Sequence, residues 1–144
     1  MSYKFIEGLT MADVAFEARG KTLEEMFESA ANAMMATQVN DLSKIEAKKE
    51  VKFIVKAPDE EKLLHNYLQE LIFLKDAKLM LFASYKLKIE KTKDGSYKLS
   101  AKCKGEKLDM GKHELLVDVK AVSWHMYKVE KIKGQWKALV ILDV

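Results

Sequence analysis

The sequence predicts an α+β domain, with two helices packed on a largely antiparallel or mixed β-sheet. Three observations carry this. Two stretches place apolar residues at helical spacing, nearly all the rest alternates apolar and polar residues, and Gly-containing turns join the later alternating segments. The predicted order is a strand–helix–strand–helix start followed by four or five strands, in a single domain spanning 1–144.

The first strand runs from Asp13 to Arg19 and ends at Gly20. Thr22 followed by Glu25 forms a capping box, and Leu23, Met26, Phe27, Ala30, Ala31 and Met34 make one buried stripe, so a helix is predicted near 22–37. Val51 to Val55 is rich in β-forming residues and reads as the second strand. A second helix begins after Pro58 with Asp59 as N-cap. Its first turn carries Glu60 and Glu61, its stripe runs from Leu63 to Ile72, and it is predicted to end near Asp76. Leu81 to Lys91 and Ser96 to Lys104 form a hairpin around Lys93-Asp94-Gly95. Leu115 to Lys131 reads as a strand pair or one bent strand. Gln135 to Val144 closes the chain after the Lys133-Gly134 turn.

Composition narrows the function classes. The single cysteine, Cys103, excludes a disulfide framework and a cysteine-based zinc site, and it reads as a small buried apolar residue on its strand. No apolar run is long enough to span a membrane and the first residues lack a signal-peptide pattern, so a cytoplasmic protein with no membrane association is expected. Residues 1–47 hold 4 basic and 8 acidic residues, and residues 48–144 hold 21 and 14. The surplus is almost all lysine, with Arg19 the only arginine. These lysines alternate with apolar residues, as in Tyr85-Lys86-Leu87-Lys88-Ile89, which reads as the wet face of a half-buried strand. Little direct nucleic-acid binding is expected from them.

No nucleotide-binding glycine loop, nucleophile elbow or His-Glu-x-x-His motif is present, and His65, His113 and His125 are far apart in sequence. What remains is a set of carboxylates at element ends. Asp13 opens a strand and Asp143 follows the apolar run 138–142, with the carboxylate of Val144 one residue on. From the residues alone each reads as a charge fading into solvent. If Asp13 and Asp143 meet, three carboxylates share one corner, and a hard cation such as Ca²⁺, Mg²⁺ or Mn²⁺ would relieve their repulsion. A small metal-dependent hydrolase could use the same groups, although no His or Lys base lies near them in sequence.

Seven segments, in order across nearly the whole chain, resemble the archease family. They are Thr10-Met11-Ala12-Asp13, the Ala18-to-Glu25 turn with Phe27, Leu68 to Asp76, Gly105-Glu106, Lys112-His113, Val119 to His125, and Trp136 to Val144. Thr10 and Met11 stand where the family has His-Thr. The resemblance implies a non-catalytic activator of an RtcB-type RNA ligase in tRNA splicing and RNA repair. Such a protein promotes guanylylation of the ligase and multiple turnover. It also implies a chaperone-like or specificity-modulating role toward a tRNA methyltransferase. It further implies a divalent-metal site, calcium above all, at Asp13 and Asp143, with Val144 as third oxygen donor. Asp76, Glu106, Lys120 and His125 are candidate supporting residues, each with a plain structural alternative: Asp76 a loop-pairing charge, Glu106 and Lys120 a mutual ion pair, His125 a hydrogen-bonded structural histidine. Trp124 and Trp136 are expected in the core.

Overall fold

In the computed structural model, which describes residues 2–9 and 13–144, the two predicted helices and seven strands build two separate antiparallel sheets. The four-stranded sheet has the order β1-β2-β7-β6, formed by β1 Ser2–Ile6, β2 Val14–Gly20, β6 Ala121–Ile132 and β7 Gln135–Asp143. The three-stranded sheet has the order β3-β5-β4, formed by β3 Lys49–Ala57, β4 Met80–Lys91 and β5 Tyr97–Lys107. Helices α1 (Leu23–Gln38) and α2 (Glu60–Lys78) complete the fold. The Thr10-Met11-Ala12 segment lies outside the described residues.

Three differences from the sequence-based expectation matter. The strands divide into two sheets where one was predicted, because alternation marks a strand without naming its partner. A further strand, β1, precedes the predicted first one and pairs with it from Ser2↔Arg19 to Ile6↔Ala15. Of the predicted strand from Leu115, only an isolated bridge from Leu115 to Val39 forms before β6 begins at Ala121; residues 116–120 form an irregular strap.

Local chemistry explains the helix starts. Thr22 Oγ1 accepts the Glu25 N–H at 3.1 Å, and Glu25 reaches back to the Thr22 N–H at 3.2 Å, completing the predicted capping box. Asp59 accepts the Lys62 N–H at 2.8 Å. At Gly20 an added Cβ would lie 2.4 Å from the Met26 nitrogen, so only glycine lets β2 run this close to α1. The same logic holds at Gly105, where a Cβ would sit 1.8 Å from the Leu81 carbonyl oxygen beside the irregularity in β4.

One main core joins both sheets to both helices. Phe16, Val140 and Leu142 come from the four-stranded sheet, Leu99 and Cys103 from the three-stranded one, and Phe27, Met34, Leu64 and Tyr67 from the helices. Phe53 and Phe27 stack on Tyr67 at 6.2 and 5.6 Å. Burial pushes the Cys103 thiol up to about 12, which keeps it protonated and fits its predicted packing role.

Candidate functional site: an acidic corner at the meeting of the chain ends

The β2–β7 register decides where the two terminal aspartates lie. Val14 pairs with Leu142, and the same antiparallel register continued one step sets Asp13 opposite Asp143. Val14 and Leu142, 128 positions apart in the sequence, are therefore neighbours at one sheet end, each next to one of the aspartates. On the other side of β7, Ala121 pairs with Asp143, and the Lys120 N–H donates to the Asp143 carbonyl at 2.8 Å. Val144 is half-buried against the main core, which holds the end of β7 to the body of the protein. Asp13 and Asp143 are both half-buried.

The strap 114–120 delivers Lys120 to this corner, and it is pinned at both ends. Leu116 N–H donates to Gln38 O at 2.8 Å and Asn40 N–H to Glu114 O at 2.9 Å, tying the strap to the end of α1. Lys75 of α2 then donates to Asp118 at 2.5 Å and to the Val119 carbonyl at 2.7 Å, and it pairs with Asp76 at 3.1 Å. Asp76 thus stands one cation away from the residue preceding Lys120. The strap leaves apolar surface exposed: Leu79, Leu115, Leu116 (52% exposed) and Val117 border a groove of about 290 Å³ beside Lys75 and Asp118. Neither Lys75 nor Asp118 was singled out from sequence. Their only signal was a lysine near the α2 C-terminus and an aspartate in an apolar run.

Of the supporting candidates, Lys120 bonds to the Asp143 main chain, Asp76 pairs with the Lys75 that holds Val119, and Glu106 belongs to a separate network. Glu106, at the end of β5, is buried and does not pair with Lys120. It accepts from Lys112 at 2.8 Å, from the Glu46 N–H at 2.7 Å and from His113 at 3.0 Å, with Lys48 at 3.6 Å. The Lys112 ammonium, foremost, and the Glu46 N–H hold its carboxyl down to about 2 against the opposing effect of burial. The Asp109 N–H donates to His113 Nδ1 at 3.0 Å, so the His113 proton sits on Nε2, where it is given to Glu106. This network fixes the loop after β5.

His125 is exposed, and its backbone N–H donates to Ser123 Oγ at 3.0 Å. It lies in an irregular part of β6, where pairing with β7 breaks off between Ser123 and Lys128 and Met126 takes a φ of 55°. That irregularity also corrects the expectation for Trp124. Its ring is 55% exposed and stacks on His65 at 3.7 Å, with Tyr127 edge-on at 5.2 Å. His65 donates from Nε2 to the Val122 carbonyl at 2.9 Å, and burial lowers its pKa. Trp136 is half-buried against the core, as expected.

Among the described residues, the strands bring to this sheet end the half-buried Asp13 and Asp143 and the Asp143 carbonyl held by Lys120. Among the described residues no three His, Cys, Asp or Glu side chains converge as a metal-binding group. No helix among the described residues is long and apolar enough to cross a membrane.

The fold defines a small two-sheet α+β protein in which β2 and β7 run antiparallel to one sheet end, where the Asp13 and Asp143 segments lie. The chain belongs to the Archease protein family (MTH1598/TM1083), whose model matches residues 3–144. It is 42% identical to an archease of Pyrococcus furiosus over 134 residues, 92% of this chain and 93% of that one. It is 44% identical to an archease of Pyrococcus abyssi over 135 residues, with the same coverage of both chains. The solution structure of Methanobacterium thermoautotrophicum protein 1598 superposes with a TM-score of 0.86 at 38% identity, covering 99% of this chain and 98% of that one. The crystal structure of an archease from Thermotoga maritima, described as a possible chaperone, shares the fold with a TM-score of 0.62 at 21% identity, covering 94% and 93%.

Proposed function

We propose that this chain is a non-catalytic activator of an RtcB-type RNA ligase in tRNA splicing and RNA repair. It acts by presenting the Asp13–Asp143 corner to the ligase active site. What supports the reading is the β2–β7 register, in which Val14 pairs with Leu142, so that one further step would set Asp13 opposite Asp143 at one sheet end. A divalent cation held there, Ca²⁺ first and Mn²⁺ or Mg²⁺ as alternatives, would supply positive charge where guanylate phosphates are positioned. The chain's own residues do the rest. Asp13 and Asp143 would offer carboxylate oxygens to the cation, the Lys120 N–H fixes the Asp143 main chain, and the Lys75–Asp118 pair holds the strap. The apolar groove between Leu79 and Leu116 supports protein contact beside the corner, and it equally supports a chaperone-like role toward a tRNA methyltransferase.

The test mixes the protein with an RtcB-type ligase, GTP, Mn²⁺ and excess RNA ends, and follows turnovers. The expected result is many turnovers per ligase with the native protein and a return toward one with Asp13→Ala or Asp143→Ala. No gain with the native protein removes the activator reading. Separately, millimolar Ca²⁺ should raise the thermal midpoint of the native protein and not of Asp143→Ala, since a ligand of the folded state stabilises it. An unmoved midpoint with Ca²⁺, Mn²⁺ and Mg²⁺ alike removes the metal from the proposal.

A further inference from the structure

The three-stranded sheet turns one face to the core and the other to solvent. Residues paired directly across neighbouring strands point to the same side, so its register assembles transverse rows of side chains. The central row is Lys52–Lys102–Lys86, three like charges abreast on β3, β5 and β4. Lys104 lies in the row on one side of it, and Lys88, Lys98 and Lys56 lie in the two rows on the other. Within these four rows Glu50 and Glu90 oppose the seven lysines, a local balance of +5 in a chain whose total is +3. The rest of the protein is therefore at −2, so the net positive surplus of the chain lies on one sheet face.

Neutralisation within the face is slight. Lys52 pairs with Glu50 at 3.6 Å and Lys88 with Glu90 at 3.5 Å, while Lys56, Lys86, Lys98, Lys102 and Lys104 make no ion pair among the described residues. Like charges placed directly opposite each other on a sheet are destabilising, and a face shaped for solubility alone mixes its signs. Over the central rows lies a groove of about 590 Å³, bordered by Lys52, Lys86, Lys88 and Lys102 with Ile54 and Ser100 between them.

We propose that this face binds the phosphate backbone of a nucleic acid without reading its sequence. Lysines are point charges that neutralise phosphates, and the face has neither the arginine fork that reads base edges nor an outward aromatic ring for bases to stack on. The one arginine, Arg19, lies in the other sheet. Protein partners fit the face poorly, since interface cores are depleted of lysine and built on aromatic or aliphatic anchors, and Ile54 is the sole exposed large apolar residue here. An anionic membrane fits no better, because a surface-bound element needs an apolar side to enter the headgroup layer. The sequence pattern showed each lysine as one wet strand position; only the cross-strand register stacks them. The inference stands apart from the acidic corner, which belongs to the four-stranded sheet.

The test is fluorescence anisotropy of a labelled, mixed-sequence single-stranded RNA of about 20 nucleotides, titrated with the full chain between about 50 and 200 mM salt. Engagement of four or five phosphates predicts a log–log salt slope near about −3, with dissociation constants of about 10–100 μM at the upper salt concentration. The triple variant Lys86→Glu, Lys98→Glu, Lys102→Glu should lose at least about tenfold in affinity. A charge-matched variant outside the face, Lys21→Glu, Lys62→Glu, Lys133→Glu, should lose less than about threefold. Thermal unfolding confirms that each variant folds, and a Lys→Gln triple at the same face positions serves if the glutamates do not. The proposal is overturned by absent RNA binding at low salt, by equal loss in the two triples, or by undiminished binding in the face variant. Preferential binding to phosphatidylserine vesicles or to an acidic polypeptide at equal charge also overturns it.

Discussion

The two sheets manage charge on their solvent sides in opposite ways. On the four-stranded sheet, Glu17 of β2 lies 4% exposed and is surrounded by cations. Arg19 and Lys137 both reach its Oε1 at 3.0 Å, and Lys4 reaches Oε2 at 3.2 Å. On the three-stranded sheet, Lys102 has a lysine on each side and no carboxylate partner among the described residues. Charge that is satisfied by neighbours on the same sheet serves folding. Charge that is stacked in register without partners works against folding, a cost that the proposed binding of a polyanion would offset.

The largest expected effect breaks the first half of that contrast. Glu17→Gln leaves three cations around a neutral group, and a cost of about 1–3 kcal/mol in urea unfolding is expected from losing hydrogen bonds to a charged acceptor. The pH dependence follows from direction. Burial alone would raise the Glu17 carboxyl, but hydrogen bonds from Lys137, Lys4 and Arg19 outweigh it and hold the group at about 2, against an ordinary value of 4.5. A carboxyl lowered on folding stabilises fully above its unfolded value, and this contribution is lost as pH falls from about 4.5 toward 2. The native protein should weaken steeply through that window, and Glu17→Gln should show a shallower decline. Parallel curves for the two proteins would mean that the cations do not hold the Glu17 charge.

The next effect reverses sign. Lys102→Glu converts two like-charge neighbours, Lys52 and Lys86, into two opposite pairs. At about 0.2–1 kcal/mol per cross-strand pair, the variant should be more stable than the native chain by several tenths of a kcal/mol or more, with the gain shrinking at high salt. The same substitution should weaken RNA binding. Stability rising while affinity falls is the signature of a face kept basic for a ligand. A destabilised Lys102→Glu would mean that the lysine row is already well accommodated.

How much of this was legible in the sequence follows the range of the interactions. Both helices were legible because their signals are local: Thr22 and Glu25 three residues apart, Asp59 just before a stripe. Strand β1 was missed because five residues alternating weakly acquire a strand's geometry only by pairing with β2. The 115–120 strap looked like a strand for its apolar residues, yet its conformation is set by Gln38 and Lys75, far away in sequence. Trp124 was placed in the core because large aromatics usually go there, and the irregularity at Met126 turned it outward onto His65. Asp13 and Asp143 were singled out from the residues as carboxylates at element ends, but only the family resemblance favoured their meeting, since no local pattern says which strand pairs with which. The lysine rows were invisible for the same reason: alternation fixes a face, while register fixes its neighbours.

The smallest effect sharpens the comparison from the other side. Glu50 is one of two acidic residues on the lysine face, lying 3.6 Å from Lys52 and directly opposite Lys104. Its pair with Lys52 is exposed, so Glu50→Gln should cost no more than about 0.5 kcal/mol in stability. It raises the positive charge of the face by one, so RNA should bind a few-fold more tightly at about 50 mM salt, and the gain should fade as salt screens it. The two readouts again move in opposite directions, now from the removal of a negative charge instead of a positive one. Tighter binding with a small loss of stability assigns Glu50 to restraint of the face. An affinity unchanged by Glu50→Gln while Lys102→Glu abolishes binding would confine the phosphate contacts to the central row and the rows beyond it, toward Lys88 and Lys98.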